Sequence, residues 1–140
     1  MTQKRAYIDT SVYLGILLGE KEALALEKLL RHHILCSSVL LFAEAERNLV
    51  RLSREKILTT EEYRKAMNQL KIDLESFLLR DLTIDLCLTG FYPPVRTPRT
   101  SDLIHLRTAQ WFQQNGGLEL FVTLDKDQRH AAIDVGLSVN

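Results

Sequence analysis

The chain has 140 residues, 46% apolar and 26% charged, and its 18 basic and 18 acidic side chains cancel to a formal net charge of zero. That length supports one domain, expected to span residues 1–140, with a core burying roughly 68–70% of the unfolded surface, so disulfide stapling is not needed. Neutrality excludes a global electrostatic footprint for nucleic acid, though a local basic stripe remains open because phosphate contacts depend on where the charges sit.

The N-terminal "MTQKRAYIDT" lacks the apolar segment of a signal peptide and reads as the entry to a short strand, Lys4–Ile8. "DTSVYLGILL" follows as a short helix, capped by Thr10 or Ser11 and ended by Gly19. Leu24, Leu26, Leu29 and Leu30, set among charges, give Lys21–His32 helical spacing. "ILCSS" supplies a second strand, Ile34–Cys36, and Ser37 and Ser38 then introduce a long helix over Val39–Ser53. The next helix opens on Thr59 or Thr60, with Glu62 at capping-box spacing from Thr59 and an apolar face of Tyr63, Met67, Leu70, Leu74 and Phe77.

"DLTID" is the expected third strand. "LCLTGFYPPVRTPR" holds all three prolines and reads as a stiff connection or a broken helix. Thr100 or Ser101 caps a helix over Asp102–Gln114, which "NGG" ends. "LELFVTLD" is a strand, Lys126–Val135 a helix, and "GLSVN" a last short strand. Strands alternating with helices imply a parallel sheet covered on both faces. The two cysteines, Cys36 and Cys87, form no Cys-x-x-Cys and suggest no structural zinc. No apolar run approaches the roughly 18 residues of a membrane span, so a cytoplasmic protein with reduced thiols is expected.

Two strand candidates, "AYID" and "LFVTLD", end on aspartates, Asp9 and Asp125. In an open α/β sheet, ligands bind beyond the C-terminal strand ends, and the helix N-termini that follow lie on the same edge. Asp102 sits in the first turn of its helix and Glu44 about one and a half turns into its own. Four converging acids repel one another unless a cation neutralises them, and an all-oxygen set points to Mg²⁺ or Mn²⁺. Ser11 and Thr123 are placed to hydrogen-bond the carboxylates or a coordinated water.

Each acid also has an ordinary structural explanation. Asp9 serves as a cap, Asp102 as a first-turn dipole acid, Glu44 as a surface acid, and Asp125 as the start of a turn. Four together on one sheet edge make that joint coincidence hard to sustain. Arg47, Asn48 and Arg51 share the Glu44 side of their helix and form a basic stripe, unless they pair along it with Glu44 and Glu55. Arg96 and Arg99, in the proline segment, either bind phosphate or solubilise an exposed loop. His105, one turn after Asp102, reads as a general base or, more ordinarily, as a core residue with a satisfied hydrogen bond.

The pieces "YIDTSVYLGIL", "SSVLLFAEAERNLVR", "TSDLIHLRTAQ" and "FVTLDKDQRHAAIDVGLSV", in this order, make nearly the whole chain resemble a PIN domain, specifically a VapC-type toxin of a bacterial toxin–antitoxin pair. The resemblance implies a three-layer α/β/α sandwich around a central parallel sheet of four to five short strands. It puts the acidic site on Asp9, Glu44, Asp102 and Asp125, with the strand-end threonine at Thr123 and the small polar positions at Thr10 and Ser11. Asp127 is a peripheral extra acid. The implied protein is a Mg²⁺- or Mn²⁺-dependent ribonuclease cutting RNA, a homodimer silenced by a cognate antitoxin. The chain departs from the pattern before Asp102, where two adjacent prolines stand in place of a full helix.

Three rivals remain. An aspartate-nucleophile phosphatase wants a second acid two residues after the first, where Ser11 stands. A receiver domain wants an acidic pair near the first strand. A non-cutting PIN-fold module that binds RNA or protein fits the neutral charge.

Overall fold

The computed structural model describes residues 3–88, 90, 92–97 and 99–140. Four short strands, β1 (Arg5–Ile8), β2 (Ile34–Ser38), β3 (Leu78–Arg80) and β4 (Leu120–Val122), form one parallel sheet in the order β3-β2-β1-β4. Six helices intervene: α1 (Thr10–Leu17), α2 (Lys21–Leu30), α3 (Leu40–Arg54), α4 (Thr60–Ser76), α5 (Thr100–Gln114) and α6 (Lys126–Asp134).

The period of two along each strand decides which layer a side chain joins. Ala6, Ile8 and Val122 pack with Val12, Leu41, Leu49 and Leu70 under α1, α3 and α4. Their neighbours Tyr7 and Phe121, with Cys36, turn to the other face, against Leu106, Ala109 and Phe112 of α5 and Ala131 and Ala132 of α6. Tyr7 and Phe121, opposite one another in the sheet, stack with ring centroids 5.5 Å apart. The result is the expected three-layer α/β/α sandwich.

Local signals set most boundaries. Thr59 and Glu62 form the expected reciprocal capping box of α4. α1 differs: its cap is Asp9, whose carboxylate accepts from the Val12 N–H, while the Ser11 hydroxyl is spent on that carboxylate. α3 begins at Leu40, whose N–H donates to the Ser38 hydroxyl.

The third strand lies at Leu78–Arg80, ahead of "DLTID". α4 stops at Ser76, so Phe77 is already extended and the next three residues pair with Cys36–Ser38. Asp85 then accepts from Arg80 and Thr83, and this turns the chain into a 3₁₀ turn over Ile84–Leu86. "LELFVTLD" pairs only over Leu120–Val122, because the Thr123 hydroxyl takes the Asp125 N–H and bends the chain out of the sheet. "GLSVN" contributes a single parallel bridge, Val139 to Phe121. Thr89, Phe91 and Pro98 of the proline stretch lie outside the described residues. On the expected apolar face of α4, Leu70 is buried and Tyr63, Met67 and Phe77 pack beside it, while Leu74 is 47% exposed.

From β1 the chain crosses to β2 on one side, while β4 joins on the other. The crevice at such a switch point opens at the carboxyl ends of β1 and β4.

Candidate functional site

The register Ile8 opposite Val122 puts the next residues, Asp9 and Thr123, side by side at that crevice. Asp9 is 4% exposed. Its Oδ1 accepts from the Ser11 hydroxyl (2.6 Å) and the Val12 N–H (3.3 Å), and its Oδ2 accepts from the Thr123 hydroxyl. Ser11 Oγ accepts in turn from the Leu124 N–H at 3.1 Å, so the two strand ends are sewn together through hydroxyls. Burial pushes the Asp9 pKa up, against the lowering pull of Ser11 and Thr123.

Asp125 caps α6, its Oδ1 accepting from the N–H groups of Asp127 (2.8 Å) and Gln128 (3.2 Å). Asp102 lies in the first turn of α5, and its Oδ2 is buried with no hydrogen-bond partner among the described residues. Arg99 Nε stands 3.9 Å from that oxygen, too long for a hydrogen bond. The Asp102 pKa is raised, first by burial and then by the charges of Asp125 and Asp9, with Arg99 pulling the other way.

Glu44 reaches the crevice from α3. Its Oε1 accepts from the Thr10 hydroxyl at 2.8 Å and lies 2.8 Å from His105 Nε2. Burial would raise the Glu44 pKa, but the hydrogen bond and charge of His105, with the hydroxyls of Thr10 and Ser101, outweigh it and leave the net shift downward. His105 has the satisfied core environment its helical position suggests, with Tyr7 OH 2.6 Å from Nδ1. It nevertheless touches Glu44. The signal in the sequence was its spacing of one turn from Asp102.

Asp9, Glu44, Asp102 and Asp125 line one cavity of about 170 Å³, together with Thr10, Ser11 and Arg99. In donor chemistry the set suits a hard divalent cation: carboxylates only, one buried oxygen without a partner, and two acids whose ionised form is disfavoured. Among the described residues, no three His, Cys, Asp or Glu side chains lie close enough to hold one ion. Asp9 accepts at both oxygens, from Ser11, Val12 and Thr123, and Asp125 accepts at Oδ1 from the α6 amides. Cation binding therefore requires these acids to draw closer together.

The basic candidates divide. Arg99 lines the acidic cavity, whereas Arg96 lines a separate one with Asp127, His130 and Asp134. Arg51 donates to Glu55 (3.1 Å) and Asn48 (3.3 Å), which is the intrahelical pairing rather than a free stripe. Arg47 is exposed on α3.

A parallel sheet between two helical layers, with acids gathered at its switch point, defines a three-layer α/β/α domain. The chain matches the PIN domain family over residues 6–134 and belongs to it. Among solved structures it is similar to the crystal structure of VapBC2 from Rickettsia felis bound to a DNA fragment from their promoter, at 11% identity and a TM-score of 0.60, with 97% of each chain covered. It is also similar to a domain of a functionally unknown protein from Methanocaldococcus jannaschii, at 14% identity and a TM-score of 0.52, covering 98% of this chain and 89% of that one. No curated protein is detectably similar to it. Among the described residues, no helix is long and apolar enough to cross a membrane.

Proposed function

We propose that the chain is a Mg²⁺- or Mn²⁺-dependent endoribonuclease, the VapC-type toxin of a type II toxin–antitoxin pair. The observation that carries this reading is the meeting of Asp9, Glu44, Asp102 and Asp125 on one cavity at the β1/β4 switch point, with Asp102 Oδ2 left without a hydrogen-bond partner among the described residues. PIN family membership supports a nuclease. The likeness to the Rickettsia felis complex supports a VapC-like fold, and the antitoxin partner is drawn from what that complex contains. A homodimer acting on RNA in the cytoplasm completes the reading.

In this reading Asp9, Asp102 and Asp125 hold the cation, with Glu44 binding directly or through water. A bound divalent ion would acidify an attacking water and stabilise charge on the phosphate. The protein's own residues prepare the site. Ser11 and Thr123 fix the Asp9 carboxylate, the α6 amides fix Asp125, and Arg99, beside the cavity, positions the RNA backbone. Arg96, Arg47 and Arg51 act further along the strand, and Arg51 must first release Glu55.

A non-cutting PIN-fold module that binds RNA or protein is the second reading. It is favoured by the spacing of the acids, no three of which, among the described residues, lie close enough to hold one ion. The two readings separate in one experiment. A structured RNA pool is incubated with the protein and Mg²⁺, Mn²⁺ or EDTA, alongside Asp102→Asn. Cleavage that needs metal and is absent from the variant supports the nuclease. Metal binding without cleavage of any RNA, including transfer and ribosomal RNA, supports the module.

A further inference from the structure

His105 is 2% exposed and lies between the centre of β1 and the acidic cavity. Its Nδ1 is 2.6 Å from Tyr7 OH, and its Nε2 is 2.8 Å from Glu44 Oε1 and 3.1 Å from Thr10 Oγ1. An ionised carboxylate oxygen can only accept, so Nε2 carries the hydrogen. The Thr10 hydroxyl also donates to Glu44 Oε1, at 2.8 Å, so two donors converge on one oxygen.

The other ring nitrogen is fixed just as firmly. Tyr7 is fully buried and stacked on Phe121, so its hydroxyl cannot move off Nδ1 without disturbing the sheet. Burial also pushes the Tyr7 pKa far up, which keeps its hydroxyl protonated. Tyr7, His105 and Glu44 therefore form one hydrogen-bonded chain, with Nε2–H donating to Glu44. A free glutamate on a helix has several rotatable bonds to freeze. This crosslink freezes them from a rigid core position and joins α3 to the turn of α5 that follows Asp102.

We propose that His105, braced by Tyr7 at Nδ1 and donating from Nε2–H, is a positioning residue that fixes the Glu44 carboxylate relative to Asp102. Its effect on cleavage rests on the nuclease reading; the crosslink does not.

The test has two arms, both on the full chain. In the first, long-range proton–nitrogen NMR of the imidazoles is recorded at mildly alkaline pH. A protonated Nε2 is expected at His105. An Nε2 without its proton overturns the proposal whether or not the protein cuts RNA. In the second arm, His105→Gln places an amide N–H where Nε2 stood, and His105→Asn places one where Nδ1 stood. The Gln variant is expected to keep most metal-dependent cleavage, and the Asn variant to lose about 10- to 100-fold, the usual range for a residue that orients a ligand. Equal loss in both, from a wild type that cleaves, overturns the positioning role. If Asn fails to fold, Tyr7→Phe takes its place, and unchanged cleavage there overturns the role equally. A wild type that never cleaves defeats the nuclease reading and leaves the NMR arm to decide the crosslink.

Discussion

The fully buried side-chain amide of Gln128 donates to the backbone carbonyl of Asp102 at 2.7 Å and ties the first turn of α6 to the first turn of α5. Each of those turns presents an acid to the cavity, Asp125 and Asp102 respectively. The other end of the same amide, Oε1, is buried without a hydrogen-bond partner among the described residues. Gln128 thus spends one good hydrogen bond on alignment and carries an unsatisfied acceptor as its cost.

Gln128→Leu removes a bond worth about 1 kcal/mol and relieves an unsatisfied buried acceptor that costs about 1–3 kcal/mol. The melting temperature is therefore expected to hold or rise. Metal-dependent cleavage is expected to fall about tenfold or more as Asp102 and Asp125 lose their fixed spacing. Thermal melts and cleavage rates on one preparation check both. A large loss of stability would show that the amide serves folding instead.

Asp9→Asn is expected to stabilise the protein by about 1 kcal/mol near neutral pH while abolishing cleavage. Burial raises the Asp9 pKa, so its ionised form costs folding energy above the ordinary aspartate range, and that cost is relieved as the pH falls. Asparagine removes the charge and remains a good helix cap. Denaturant unfolding at neutral and acid pH should show the gain shrinking towards acid.

Glu44 has the opposite sign. Its folded pKa lies below the ordinary glutamate value, so its contribution is present above that value and is lost as pH falls through the folded pKa. Glu44→Gln should lower stability at neutral pH by about 1 kcal/mol, consistent with a half-buried group whose side chain is 26% exposed. It should also flatten the acid limb of the stability curve. An unchanged acid limb would mean that Glu44 gains nothing from His105 and Thr10.

Arg80 holds down the segment that leaves the sheet. It donates to both Asp85 oxygens (3.2 and 3.3 Å), Tyr92 OH donates to the same carboxylate at 3.3 Å, and the guanidinium lies 4.1 Å from the centre of the Trp111 ring. Arg80→Ala is expected to speed proteolytic nicking within residues 82–97 about tenfold through local opening, with little change in the global melt. Limited proteolysis followed by mass mapping reads this. Nicking elsewhere would reject the latch.

Much of the site is legible along the chain because its signals are local. Asp9 and Asp125 follow apolar runs, so each was bound to sit where a strand gives way to a helix. Asp102 and Glu44 follow from helix onset and turn counting, and the Thr59–Glu62 box from a spacing of three. The errors are instructive for the same reason. "DLTID" has strand-like residues, yet Leu78–Arg80 won the pairing because α4 released the chain earlier and β2 offered only Cys36–Ser38.

Sequence alone determined the alternation of strands and helices and the places of the four acids, two at strand ends and two within helices, since both are written in periodicity and caps. Tertiary structure alone decided what those acids touch. The register Ile8 opposite Val122 gave Asp9 its Thr123, the packing of α5 brought His105 to Glu44, and the docking of α6 brought Gln128 to Asp102. A one-residue change of register would reverse every strand side chain, and no local pattern fixes which distant residue arrives opposite. That choice belongs to the packing of the whole sheet between its two helical layers.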